Sequence, residues 1–236
     1  MSVSLFVDRP TRALAVYAHP DDPEVACGGT LARWAAEGAE VRLVVVNAGD
    51  KGSYTAETDP QRLAERRAEE VATAAQVLGL TGFDLLGLPD GEVTNDLALR
   101  GRLVELVRRH RPDVVIAPDP TAVFFGDSYV NHRDHREVGW AALDAVAPAA
   151  AIPLYFPRLG SPHQVATLLL SGTLEPDAWV DVASTVEQKV AAVACHESRV
   201  GDDPELVTKL LRARTAEAGA RAGVAHAEAY RRLRLG

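Results

Sequence analysis

Ala13-Leu-Ala-Val-Tyr-Ala18 is an unbroken apolar run that passes straight into His19-Pro-Asp-Asp22 and, a little further on, into the glycine pair Gly28-Gly29. Apolar residues without polar alternation, at this length, have the character of a strand covered on both faces. Leu31 to Gly38 follows with apolar residues at helical spacing and a terminal glycine, and Val41-Arg-Leu-Val-Val-Val-Asn47 repeats the apolar run. Strand, helix and strand over residues 11 to 47 make a βαβ unit. The polar run His19 to Asp22 falls where the first strand gives way to the helix, at the carboxyl edge where open α/β sheets place their sites.

The same alternation continues outward. Residues 60 to 79 open at Asp59-Pro60 and stop at Gly79, as a capped helix does. Phe83 to Leu86 reads as a third strand, Leu97 to His110 as a helix broken by Pro112, and Asp113 to Ala117 as a fourth strand. After Pro120 the pattern loosens through Phe124 to Asn131, and a helix is expected from about His132 to Val146. Ile152 to Phe156, Val165 to Leu170 and Ala178 to Val182 read as further strands, two of them near Pro or Gly turns and antiparallel or at an edge, with helices at 184 to 196 and 204 to 219. The expected fold class is α/β: a doubly wound, mostly parallel sheet with helices on both faces and additional C-terminal strands. No repeat, low-complexity linker or charge block divides the chain, so one domain over residues 1 to 236 is expected.

Composition narrows the partners. With 236 residues, 47% of them apolar, the chain can bury one substantial core. A net charge of -8 argues against nonspecific binding to nucleic acid or anionic membrane, which needs a basic face. Cys27 and Cys195 are expected to be reduced thiols, no stretch reaches the length of a membrane span, and the N-terminus lacks a secretory pattern. The expectation is a soluble, cytoplasmic protein, with a homo-oligomer left open.

Chemistry is concentrated in two short runs, His19-Pro-Asp-Asp22 and His132-Arg-Asp-His135. His19 and Asp22 are three residues apart, and a sharp turn after the strand lets both converge on one ion while Asp21 points elsewhere, free for proton work. His132 and His135 have the same spacing on the first turn of a helix, which brings their Cβ atoms to about 5 to 6 Å. One of them can bind metal while the other reaches a substrate. Imidazole nitrogens with a carboxylate oxygen suit zinc, although iron, cobalt or manganese fit the same donors, and three protein ligands leave a fourth position open for water. Such a centre lowers the pKa of its water to roughly 7, which suits hydrolysis of an amide or ester. Either run alone is common, because histidines cap helices and aspartates begin them; together, at two strand-to-helix edges, they point to a metal site. His110, His163 and His226 are expected to be solvated.

At these residues the sequence resembles the LmbE-like, PIG-L-type family of zinc-dependent N-deacetylases. The resemblance runs through Ala18-His-Pro-Asp-Asp22, Cys27-Gly-Gly-Thr30, Gly49-Asp-Lys-Gly-Ser53, Arg67-x-x-Glu70, Arg111-Pro-Asp-Val-Val115 and Asn131-His-Arg-Asp-His-Arg136, with later echoes at Lys189, His196-Glu-Ser198 and Ala227 to Arg231. It implies a Rossmann-like fold, zinc held by His19, Asp22 and His135, Asp21 as general base, and His132 polarising the carbonyl with Asp134 orienting it. Contacts to a sugar would map onto Arg67 and Asp90. The implied substrate is a small N-acylated amino sugar or its conjugate, with acetyl the group removed; a thiol-sugar conjugate or an acylated natural product is the alternative. The chain departs from the family pattern at Pro23-Glu24, at Arg133 and at Arg199, and His196 is read as a residue that either packs or supports the site residues from behind. A dinucleotide-binding protein is the rival from another class, but no Gly-x-Gly-x-x-Gly follows the first strand, and Gly49 to Ser53 reads as a loop beside the substrate. Tyr54, Phe124, Phe125 and Tyr129 either stack on a ring or pack.

Overall fold

The computed structural model describes residues 4–201 and 203–235. Strands β1 (Arg12–Tyr17), β2 (Glu40–Asn47), β3 (Gly82–Leu88), β4 (Val114–Pro118) and β7 (Thr167–Ser171) run parallel, while β9 (Ala227–Arg234) is antiparallel to both β7 and the edge strand β8 (Ala178–Asp181). The sheet order is β3-β2-β1-β4-β7-β9-β8. Helices α1 (Asp22–Ala36), α2 (Pro60–Leu78) and α3 (Leu97–His110) link the first four strands, and the short hairpin β5 (Phe124–Phe125) and β6 (Tyr129–Val130) precedes α4 (Arg133–Asp144). Helices α5 (Val186–Ala194), α6 (Glu197–Val200) and α7 (Pro204–Ala222) separate β8 from β9.

β1 shows why the sheet is covered twice. Leu14, Val16 and Ala18 enter one apolar cluster with side chains of α3 and α4, whereas Ala13, Ala15 and Tyr17 enter the other with side chains of α1, α2 and α5. Alternate residues of a strand face opposite ways, so an uninterrupted apolar run demands two buried faces. The chain leaves β1 for β2 and β3, then crosses back to lay β4 on the other side of β1. Open sheets bind ligands at such a reversal.

Capping fixes the helix limits. Asp59 Oδ1 accepts from the Gln61 N–H at 2.9 Å, with Pro60 next to it, and Gly79 closes α2 at φ 72°. Asp96 Oδ1 accepts from the Leu99 N–H at 2.8 Å to open α3.

Four expectations are corrected. Ile152 to Phe156 forms no strand; it lies in a loop wound around the buried Arg108 guanidinium, which donates to the carbonyls of Ala149, Ala150, Ile152, Tyr155 and Phe156. The α-helix after His132 ends at Asp144 and passes into a π-helical turn, Ala145–Ala149, kinked where Ala147 takes an extended conformation ahead of Pro148. Ala227 to Arg234 is a sheet strand, where the sequence offered only a short motif echo. His110, His163 and His226 are each partly buried: His110 faces Asp84 at 3.5 Å, and the other two bond the Pro112 carbonyl and the Thr215 hydroxyl. No helix among the described residues is long and apolar enough to cross a membrane.

Candidate active site

The turn after β1 is the hinge of the site. Asp21 sits at φ 92°, a conformation costly for a residue with a side chain, and Asp22 with Pro23 then opens α1. The Asp22 carboxylate accepts from the His19 backbone N–H at 2.8 Å, so strand end and helix start are tied by one side chain. Across the reversal, α4 brings up His135.

Three acceptor atoms meet there. Asp22 Oδ2 lies 3.0 Å from His19 Nδ1, His19 Nδ1 lies 3.1 Å from His135 Nε2, and His135 Nε2 lies 3.2 Å from Asp22 Oδ2. Ligands about 2.0 to 2.1 Å from a tetrahedral ion stand roughly 3.3 Å apart, so this triangle has the size of three coordination corners. The far nitrogens are occupied elsewhere. His135 Nδ1 donates to Asn131 Oδ1 at 2.9 Å, and Asn131 Nδ2 donates in turn to the Ala122 carbonyl, which fixes the amide's orientation. His19 Nε2 donates to Asp90 Oδ1 at 3.0 Å. Each ring therefore turns a lone pair toward the Asp22 carboxylate. Three converging lone pairs repel one another unless a cation or proton lies between them, which is the physical case for a metal here.

His19 also presents its other nitrogen to acidic groups. Asp134 Oδ2 lies 3.7 Å from Nε2, and His19, Asp90 and Asp134 form a second group close enough to hold an ion, as do His19, His132 and His135. Asp134 Oδ2 already accepts from the Gly91 N–H at 2.7 Å and from Asn47 Nδ2 at 3.1 Å. Burial opposes charge on His19, yet the Asp134, Asp22 and Asp90 carboxylates outweigh it and push its pKa up to about 12. A divalent cation would meet the same negative field.

His132 caps α4, its Nδ1 accepting from the Asp134 backbone N–H at 3.2 Å, so the proton of the neutral ring resides on Nε2. Burial and the neighbouring His19 lower its pKa, which keeps it neutral. Its ring centroid is 4.7 Å from that of His19 and 5.5 Å from that of His135. Asp134 thus orients His132 through its backbone, while its carboxylate serves His19, Asn47 and Gly91. Asp21 lines the same cleft; burial and the Asp22 charge raise its pKa to about 7, against the lowering influence of His196 and Arg199. Arg199 Nε stands 3.6 Å from Asp21 Oδ2.

Arg67 and Asp90 border the cleft but are engaged. Arg67 is buried, and its two terminal nitrogens donate to the Gly49 and Gly52 carbonyls, each at 2.9 Å. Gly49 at φ 63° has no room for a side chain, since a Cβ there would stand 2.5 Å from Arg67 Nη1. Sequence reasoning gave no role to Asn131, Asn47, Arg199 or Glu24; His196, read as packing or supporting the site from behind, forms a fully buried pair with Glu24 at 3.2 Å. Asn131 was findable, because a residue four before a helix-start histidine can reach its ring. The others are distant in sequence from what they touch.

The chain is similar to known proteins over most of its length. Residues 14–146 match the family described as PIG-L, GlcNAc-PI de-N-acetylase. The chain is 30% identical over 226 residues to the diacetylchitobiose deacetylase of Thermococcus kodakarensis, covering 93% of this chain and 82% of that one. It is 35% identical over 176 residues to 1D-myo-inositol 2-acetamido-2-deoxy-alpha-D-glucopyranoside deacetylase 2 of Saccharopolyspora erythraea, covering 64% and 62%. The structure of N,N'-diacetylchitobiose deacetylase from Pyrococcus horikoshii superposes with a TM-score of 0.87 at 28% identity, covering 95% of this chain and 84% of that one.

Proposed function

The chain belongs to the PIG-L family of GlcNAc-PI de-N-acetylases, and from that premise we propose that it is a zinc-dependent hydrolase that removes an N-acyl group, acetyl in the simplest case, from an amino sugar or its conjugate. The observation that carries this reading is the triangle of His19 Nδ1, Asp22 Oδ2 and His135 Nε2 with edges of 3.0 to 3.2 Å. These three residues would hold the ion, with Asp90 and Asn131 setting the imidazoles. When bound, a divalent ion there supplies Lewis-acid chemistry, polarising the amide carbonyl and acidifying the attacking water.

The chain's own residues supply the proton transfers. Asp21, with its pKa raised to about 7 by burial and the adjacent Asp22, is matched to a base working near neutral pH. It takes a proton from water as the water oxygen bonds to the carbonyl carbon and the carbonyl electrons move to oxygen. The His132 Nε2–H donates to that oxyanion, a contact of a kind worth about 3 kcal/mol in the transition state. Asp21 then returns its proton to nitrogen, the oxyanion electrons re-form the carbonyl as the C–N bond breaks, and the products are a carboxylic acid and an amine, the acid's proton passing to the amine so that carboxylate and ammonium leave. Arg67, through the Gly49 to Gly52 loop, shapes the sugar side of the cleft.

The test is release of amine from N-acetylglucosamine and N,N'-diacetylchitobiose by zinc-loaded protein. Asp21→Asn should keep zinc and lose at least 10³-fold in kcat; full turnover with metal bound removes Asp21 from this role. A thiol-sugar conjugate or acylated natural product is the second reading, favoured by a cleft of about 1140 Å³. In both readings residues 1 to 236 act as one catalytic domain placed in the cytoplasm.

A further inference from the structure

The cleft is larger than the roughly 300 to 1,000 Å³ usual for a small-molecule site, and sheet order determines its layout. His19 and Asp22 follow the central strand β1. Toward β2 and β3 the cleft is lined by Lys51, Tyr54, Arg67 and Asp90. In the opposite direction, over the ends of β4, β7 and β9, it continues as an arm lined by Val25, Ala26, Leu211, Thr215, Ala218 and Ala229.

That arm begins at the metal-site carboxylate. Val25 and Ala26 come three and four residues after Asp22 on α1, so one helical stripe carries both. Leu211, Thr215 and Ala218 recur at the same spacing and put one face of α7 toward the cavity. Apart from Arg214, an exposed side chain of α7 that also lines the cleft, the polar groups along the arm are already partnered. Thr215 Oγ1 meets His226 Nδ1 at 2.9 Å and donates to the Leu211 carbonyl, and the Tyr17 and Ser171 hydroxyls meet at 2.7 Å. Glu228 accepts from Lys189, Tyr230, Thr30 and the Gly29 N–H, and Lys189 also donates to the Val25 carbonyl. What remains for a ligand is small apolar surface and, on α7, the Arg214 side chain.

An amide whose carbonyl lies at the triangle sends its nitrogen substituent and its acyl chain in diverging directions. The β2–β3 flank, with its polar loop and Tyr54, suits the sugar, which leaves the other direction for the acyl chain. We propose that the arm between α1, α7 and β9 is an acyl pocket that admits chains longer than acetyl, so that the substrate class includes amino sugars acylated with chains of several carbons. This rests on the hydrolase reading above.

Zinc-loaded protein would be assayed on N-acetyl- and N-butyrylglucosamine, and acetate and hexanoate binding measured by calorimetry. Each methylene buried in the arm is worth roughly fourfold, so kcat/KM for butyryl should equal or exceed that for acetyl, and hexanoate should bind at least tenfold more tightly than acetate. Ala218→Leu, which fills the arm, should lower the butyryl-to-acetyl ratio at least tenfold and abolish the hexanoate preference; Leu211→Ala, which widens it, should raise both. A wild-type ratio below 0.1, or a hexanoate preference that neither variant moves, overturns the pocket. Should neither amide be cleaved with zinc bound, the hydrolase reading fails, while a hexanoate preference lost in Ala218→Leu still marks the arm as the site of an alkyl chain.

Discussion

A neutral imidazole donates at one nitrogen and accepts at the other, and at His135 the Asn131 carbonyl decides which. With Nδ1–H held there, Nε2 is left as an acceptor beside Asp22 and His19. His135→Ala should therefore abolish stoichiometric zinc, read by elemental analysis of the purified protein; full zinc content would move the ion to the Asp90 and Asp134 side of His19. Asp90 shows how the same logic redistributes roles. Its spacing from His19 in the chain carries no hint of contact, yet its carboxylate receives the ring's second nitrogen at 3.0 Å. The pairs His19–Asp22 and His132–His135 were legible because turn and helix geometry brings residues three apart together, the choice of His135 being implied by the family resemblance; the contact of Asp90 with His19 was not, because its loop follows β3 and only sheet order lays that loop over β1.

At the scale of elements, Arg108 is the clearest case of a local signal reversed by packing. Arg108-Arg109-His110 reads as the basic last turn of a helix, where cations offset the dipole in solvent. Arg108 instead turns inward, 4% exposed, and its guanidinium gathers the loop carbonyls that would otherwise have belonged to a strand at Ile152 to Phe156. Arg108→Met should cost at least about 3 kcal/mol, since several buried carbonyls lose their donor at once. Urea unfolding with an unchanged slope would report it, and a loss under 1 kcal/mol would mean that the loop is held by its apolar contacts. β9 was missed for a related reason. Ala227-Glu-Ala-Tyr-Arg-Arg-Leu-Arg234 is too charged to read as a central strand, but its charges lie at the sheet's rim or pair internally, as Glu228 does with Lys189. The helix limits at Asp59, Gly79 and Asp96, by contrast, were carried by the residues themselves.

Across the whole molecule, the two apolar clusters share a single sheet, with β1 contributing alternate residues to each. Neither cluster can dissolve without exposing the other's strands, so the described residues should unfold as one cooperative unit. Trp34 lies on α1, Trp140 on α4 and Trp179 on β8, and tryptophan fluorescence and far-ultraviolet circular dichroism should therefore trace coincident urea transitions in metal-free protein. Separated transitions would divide the chain into independently stable parts. The amino-acid sequence by itself determined the alternation of strands and helices through β4, the caps, and the two histidine-aspartate runs, because apolar period, capping and turn chemistry act over a few residues. Tertiary structure alone decided that Asp90 receives the His19 ring, that Asn47 bonds Asp134, that Arg108 organises a loop, that β9 enters the sheet, and that α7 walls an arm of the cleft. Those contacts join residues far apart in the chain, and they form only when burial of the shared sheet draws its ends together.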